Sequence, residues 1–239
     1  MSRGVHGVFS WLFDMEGVPE GRITALRPQS RQARVKVYLD GRYAFSLAES
    51  VAAALQVGQV LTAAQVRALQ EADTRARAWQ DAARLLAVRP RSEAEVRQRL
   101  QRRGYAHDIV EATVERLRTL GWLDDAAFAR QWVENRLAFR PRGRARLRAE
   151  LRQKGIAPAL IEAALRDLDE TTLALEAGRK VLPRYQGLPW PVFARRLSGY
   201  LARRGFPPDV VRQVVQQLWQ TSRHSSDPEL DSGQGAEAW

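Results

Sequence analysis

The side chains with the most chemical potential in this sequence are arginines grouped around two prolines. Arg89 and Arg91 flank Pro90, Arg140 and Arg142 flank Pro141, and Arg144 and Arg146 follow across Gly143. A guanidinium presents a planar fork of donors that matches two oxygens of a phosphate or carboxylate, so these six are the candidate contacts to an anionic partner. Cations at the start of a helix oppose its dipole, so they cost local stability and fit a binding role better than a structural one. From residue 84 to residue 154 the chain holds 18 basic and 9 acidic residues, which accounts for most of its net charge of +11. Of the 38 basic residues of the whole chain 35 are arginine; a GC-rich genome would explain that ratio but not the charge. An electropositive stripe facing nucleic acid or an acidic protein surface is expected.

Catalytic chemistry finds little support. Asp124 and Asp125, in the run Gly121-Trp122-Leu123-Asp124-Asp125, could hold a metal or act as acid and base. An aspartate just ahead of Ala126, Phe128 and Ala129 is better explained as a helix N-cap, and no second acidic cluster completes a two-metal site. There is no cysteine, and His6, His107 and His224 are far apart in sequence. Gly143 with its arginines lacks the Gly-Lys-Ser/Thr of a phosphate-binding loop. We therefore assign no catalytic, cofactor-binding or metal residues, and expect neither a cofactor nor an enzyme. Gly7 to Phe13 is apolar, but Asp14 and Glu16 interrupt it short of a signal or membrane segment, which gives a cytoplasmic expectation.

The elements that must carry these arginines recur. Pro90 and Gly104, Pro141 and Gly155, and Pro191 and Gly205 are each fourteen residues apart, and the glycines repeat at spacings of 51 and 50. Apolar positions recur after each glycine: Ile109, Leu160 and Val210; Val114, Leu165 and Val215; Leu117, Leu168 and Leu218. This period implies stacked supersecondary units that present a long surface rather than one deep pocket. The fold class expected is mainly α: tandem three-helix repeats in an elongated array, with a small N-terminal β-hairpin region.

Helices are expected over 76–88, 92–103 and 106–120; 125–139, 143–154 and 158–168; and 171–182, 190–204 and 208–219. Each middle helix ends at its glycine, and Pro158 and Pro208 suit the first turn of the helix that follows. Asp40-Gly41 between two β-branched runs predicts a type I′ hairpin in a two- or three-stranded sheet over residues 22 to 48. A short helix over 48–55 follows, and Thr62-Ala63-Ala64-Gln65 reads as a capping box. Ser92-Glu93-Ala94-Glu95 reads as another. The domains expected are a disordered leader (1–21), an N-terminal hairpin and helical region (22–74), three repeats (75–121, 122–169 and 170–220) and a disordered acidic tail (221–239). Met15 offers a second possible start. Trp79, Trp122, Trp132, Trp190 and Trp219 are assigned to the apolar seams between repeats rather than to base stacking.

Taken together, these motifs resemble the RecX family of bacterial regulators of the RecA recombinase. The resemblance is carried by Arg89-Pro90-Arg91-Ser92-Glu93, by Gly121 to Asp125 with Phe128-Ala129, by Arg140-Pro141, and by Lys154-Gly155-Ile156, and it runs from about Arg22 to Trp219. Pro189-Trp190-Pro191 departs from the pattern in the third repeat. The resemblance implies an all-helical array of three-helix repeats that lies along the groove of the RecA filament on single-stranded DNA and restrains its ATP hydrolysis, strand exchange and repressor cleavage; the chain is expected to be a monomer. Weak binding to single- or double-stranded DNA is expected beside this. The competing expectation is an independent DNA-binding protein built from helix-turn-helix-like repeats.

Overall fold

The computed structural model describes residues 18–29 and 33–224. The leader expectation for residues 1–17 and the tail expectation for residues 225–239 lie outside the described residues. Those described form two compact units. One takes the chain up to Val88 with Leu100–Glu115, and the other takes Arg89–Arg99 with the chain from Arg116 on.

In the first unit, β1 (Gly21–Gln29), β2 (Arg34–Leu39) and β3 (Arg42–Ala48) form an antiparallel sheet, and α1 (Glu49–Ala52) and β4 (Val60–Leu61) follow. The strand order is β3-β2-β1-β4. The sheet therefore has four strands where two or three were expected; only two residues of β4 pair, Gly21 opposite Leu61 and Arg22 opposite Val60, too few to leave an alternating pattern in the sequence. Leu39 and Arg42 pair across Asp40 and Gly41, which take φ values of 48° and 83°, as a type I′ turn requires. Ile23, Val37, Leu39, Phe45, Leu47, Leu61 and Val66 form the core between the sheet and α2 (Ala63–Val88). The capping box holds at the start of α2: Gln65 N donates to Thr62 Oγ1 at 3.3 Å and Thr62 N to Gln65 Oε1 at 2.8 Å. α2 is continuous over 26 residues, where the sequence reading separated a helix beginning at Ala76.

The repeats supply α3 (Glu93–Arg102), α4 (His107–Thr119), α5 (Asp125–Phe139), α6 (Arg144–Gln153), α7 (Pro158–Leu165), α8 (Glu170–Arg179), α9 (Trp190–Arg203) and α10 (Pro208–His224). Gly104, Gly155 and Gly205 have φ of 84°, 76° and 85°. Each helix they close ends in the same pair of bonds: Tyr105, Ile156 and Phe206 N–H groups reach back to Leu100, Leu151 and Leu201, and the glycine N–H groups to Gln101, Arg152 and Ala202. This is the Schellman arrangement, and it depends on the left-handed residue that glycine provides. Val114, Leu165 and Val215 are all buried, while Ile109, Leu160 and Val210 are all half-buried, so the repeats share one packing register.

The third repeat differs from expectation. Its first helix stops at Arg179, and the chain continues through a 3₁₀ turn, Leu182–Tyr185, before Trp190. Its last helix runs five residues past Trp219, to His224. Its core joins Ala174, Ala177, Phe193, Leu197, Leu201, Val214 and Leu218, and the second repeat builds its own from Phe128, Leu147, Leu151, Ile161 and Leu165. The tryptophan assignment is corrected in part: Trp132 and Trp219 are partly buried and pack against the cores of the second and third repeats, but Trp122 is 53% exposed and Trp190 is 40% exposed. A wide indole at a helix end finds too few neighbours to enclose it. Trp190 instead forms an aromatic cluster with Phe193 and Trp219, at ring separations of 6.4 and 5.4 Å.

Candidate functional site

The Pro-side corner of one repeat is seated on the Gly turn of the next, and this joint occurs twice in the second unit. At joint one, Ser92 Oγ donates to Lys154 O at 2.6 Å, and Ala94 Cβ would lie 2.3 Å from a Cβ on Gly155. At joint two, Gly143 N donates to Arg204 O at 2.9 Å, and a Cβ on Gly143 would meet Gly205 O at 2.1 Å. A carboxylate from the next repeat latches each joint. Asp125 Oδ1 accepts from Glu93 N at 2.9 Å, and Glu170 Oε1 accepts from Arg144 N at 2.8 Å. Each latch is the first residue of its own helix, directly after an aspartate N-cap. Asp124 accepts from Ala126 and Ala127 N–H groups, and Asp169 from those of Thr171 and Thr172. The N-cap reading of Asp124 therefore holds. Burial pushes the Asp125 carboxyl above its ordinary value, with the neighbouring Glu93 and Asp124 charges adding to the effect, while the Glu93 N–H and Arg97 oppose it.

The joints differ in charge. At joint one, Arg89 grips Glu95 with two bonds of 3.1 Å, and Lys154 Nζ donates to the same carboxylate at 2.7 Å. Burial works against the charged Glu95, but the bonds from Arg89 and Lys154 outweigh it and pull the carboxyl down to about 2. In the repeat register Glu95 corresponds to Arg146, Arg89 to Arg140, and Lys154 to Arg204. Joint two thus has a cation where joint one has its acid.

An open depression of about 490 Å³ at joint two is lined by Arg140, Arg142, Arg146, Tyr200, Arg203 and Arg204. Arg204 donates to Pro141 O at 3.0 Å and lies 4.6 Å over the Tyr200 ring. The carboxylate of buried Glu150 is shared among several cations: Oε2 takes Arg136 at 3.0 Å and Trp132 Nε1 at 3.1 Å, while Oε1 faces Arg142 and Arg146. Burial lowers the Arg142 pKa, and the charges of Arg136, Arg146, Arg204 and Arg140 lower it further.

The structure brings together Arg140, Arg142 and Arg146 of the six candidates. Arg89 belongs to joint one, Arg91 is half-buried beside it in sequence, and Arg144 turns to Glu170 and to Leu168 O. The dipole cost expected of cations at a helix start is offset here by tertiary contacts that composition does not reveal, since Arg89, Arg142, Arg144 and Arg146 all face carboxylates. Sequence reasoning missed Arg203, Arg204 and Tyr200, and it missed the latches Asp125 and Glu170. The signal for the latches was the acid after each capping aspartate, Asp124-Asp125 and Asp169-Glu170. Among the described residues no three His, Asp or Glu side chains converge as a metal site would need, and no helix is long and apolar enough to cross a membrane.

Comparisons with known proteins match this architecture repeat by repeat. Models described as the first, second and third three-helix domains of RecX match residues 78–117, 124–165 and 169–215. The chain belongs to the RecX family. A protein of Levilactobacillus brevis named regulatory protein RecX is 31% identical over 226 residues, covering 91% of this chain and 84% of its own. One of Prosthecochloris aestuarii with the same name is 36% identical over 150 residues, covering 63% of this chain and 98% of its own. A crystal structure of regulatory protein RecX superposes with a TM-score of 0.66 at 29% identity, covering 82% of this chain and 98% of that one. RecX from Lactobacillus salivarius shares the fold, with a TM-score of 0.57 at 20% identity. RecX relatives are thus named as regulatory proteins, and a regulatory role follows for the family to which this chain belongs.

Proposed function

We propose that this chain is a non-catalytic regulator that binds the RecA filament on single-stranded DNA and restrains its ATPase, strand-exchange and repressor-cleavage activities. It acts in the cytoplasm as a monomer, with the three repeats over 75–121, 122–169 and 170–220 as its working body and residues 22–74 as an N-terminal module. The observation that carries the reading is the arginine-lined depression of joint two on a RecX repeat scaffold. A filament of protein and DNA offers the acidic side chains and phosphates that such a surface pairs with. The cationic surface also favours a second reading, an independent DNA-binding protein.

One titration separates the two. The ATPase rate of RecA from the same organism is followed on preformed filaments as this protein is added, with single-stranded DNA in excess. Inhibition at or below one protein per RecA subunit that survives added DNA supports the filament reading. Inhibition that disappears when more DNA is supplied refutes it in favour of simple competition for nucleic acid.

A further inference from the structure

We propose that the acidic segment 227–237 docks on the third repeat of its own chain, along the exposed side of α9 and into the depression of joint two, and so competes with outside partners for that surface. The contact stands by itself, and only its consequence for RecA rests on the filament reading.

Charge selects the occupant. Between Thr171 and Arg223 the sequence has nine basic residues against two acidic ones, Glu176 and Asp209. Residues 225–239 reverse this balance, with Asp227, Glu229, Asp231 and Glu237 and neither lysine nor arginine. α9 carries no acid. Arg195, Arg196 and Arg203 are exposed on it, and neither they nor Arg140 in the depression pairs with a carboxylate among the described residues. Arg196 and Arg203 are seven residues apart, about two helical turns, and so share one side of α9. Arg203 lies back over Gly199, where an added Cβ would be 3.2 Å from its Nη1. The cationic surface of joint two therefore continues along α9 without a paired carboxylate.

The geometry lets the segment reach it. Trp190, which opens α9, lies 5.4 Å from Trp219 near the end of α10, so the two helices run antiparallel and the chain leaves α10 beside the start of α9. At about 1.5 Å per helical residue, Arg196 lies about 17 Å back from His224 and Arg203 about 27 Å. An extended chain advances about 3.3 Å per residue, which carries Glu229 about 17 Å from His224 and Glu237 about 43 Å. Glu229 is thus in range of Arg196, and Glu237 has slack to meet Arg203 and Arg140. Exposed ion pairs are individually weak, but tethering gives the segment a local concentration of the order of millimolar, which an outside anion must exceed.

The test uses the full chain, which has no cysteine, so that Ala236→Cys takes a single nitroxide label. At low salt the label should broaden the amide signals of Leu201 to Gly205 at least twofold. Broadening should vanish when Asp227→Asn, Glu229→Gln, Asp231→Asn and Glu237→Gln are combined, and in 1 M salt, where the screening length is about 3 Å. No broadening at low salt, or broadening unchanged in the neutralised variant, would overturn the docking. So would equal broadening of an isotope-labelled chain by a separate, spin-labelled one, which would assign the segment to a second copy. In the RecA ATPase titration the neutralised variant should inhibit at a concentration at least threefold lower than wild type, and equal potency would refute the competition. If neither protein inhibits while the amides broaden, the filament reading falls and the docking stands.

Discussion

Replacing Glu95 by Gln tests whether joint one is held by charge. The side chain keeps its size, but the carboxylate that Arg89 and Lys154 share becomes a neutral amide. Its pKa falls from 4.5 to about 2 on folding, despite the burial that opposes ionisation. Each pKa unit corresponds to about 1.36 kcal/mol, so the gross coupling is about 3 kcal/mol. Arg89 is 42% exposed and water screens its share, which brings the expected net loss to about 1–2 kcal/mol. Because the folded pKa is depressed, this contribution is fully present above the unfolded value of 4.5 and is lost as pH falls towards 2. Urea unfolding followed by tryptophan fluorescence suits the question, since Lys154 also lies 5.1 Å over the Trp132 ring. At pH 7 the variant should unfold at lower urea than wild type, and the gap should close between pH 4.5 and 2. Equal midpoints at pH 7, or a gap that persists unchanged at pH 2, would refute the assignment.

Two further outcomes follow from contacts elsewhere. Gly143→Ala should destabilise the second unit by about 2–4 kcal/mol, because the new methyl meets immovable backbone at Gly205; amide exchange at Gly143, which donates to Arg204, should accelerate. Asp73 is buried, pairs with Arg34 through both oxygens and accepts from Ala48 N at 2.6 Å, so Asp73→Ala should cost the sheet unit about 3–5 kcal/mol in thermal or urea unfolding, and Asp73→Asn less.

What the sequence determined by itself is what local forces decide. Gly104, Gly155 and Gly205 closed their helices as expected because a left-handed turn is a property of one residue and its immediate neighbours. Asp124 capped α5 and Asp40-Gly41 made its turn for the same reason. The family motifs and the arginine runs were legible as well, and they marked half of the joint-two surface. Tertiary structure decided the rest. Asp125 and Glu170 reach amides 32 and 26 residues away, Lys154 meets Glu95 across 59, and Arg204 reaches Pro141 across 63. Whether an arginine is compensated depends on which carboxylate folding brings within a few ångströms, since Coulomb energy follows distance in space and not along the chain. Arg89 and Arg140 hold the same place in their repeats, yet one is bound to Glu95 and the other lines a cationic depression. The repeat gave both the same backbone setting, and the contact made across each joint gave them different surroundings.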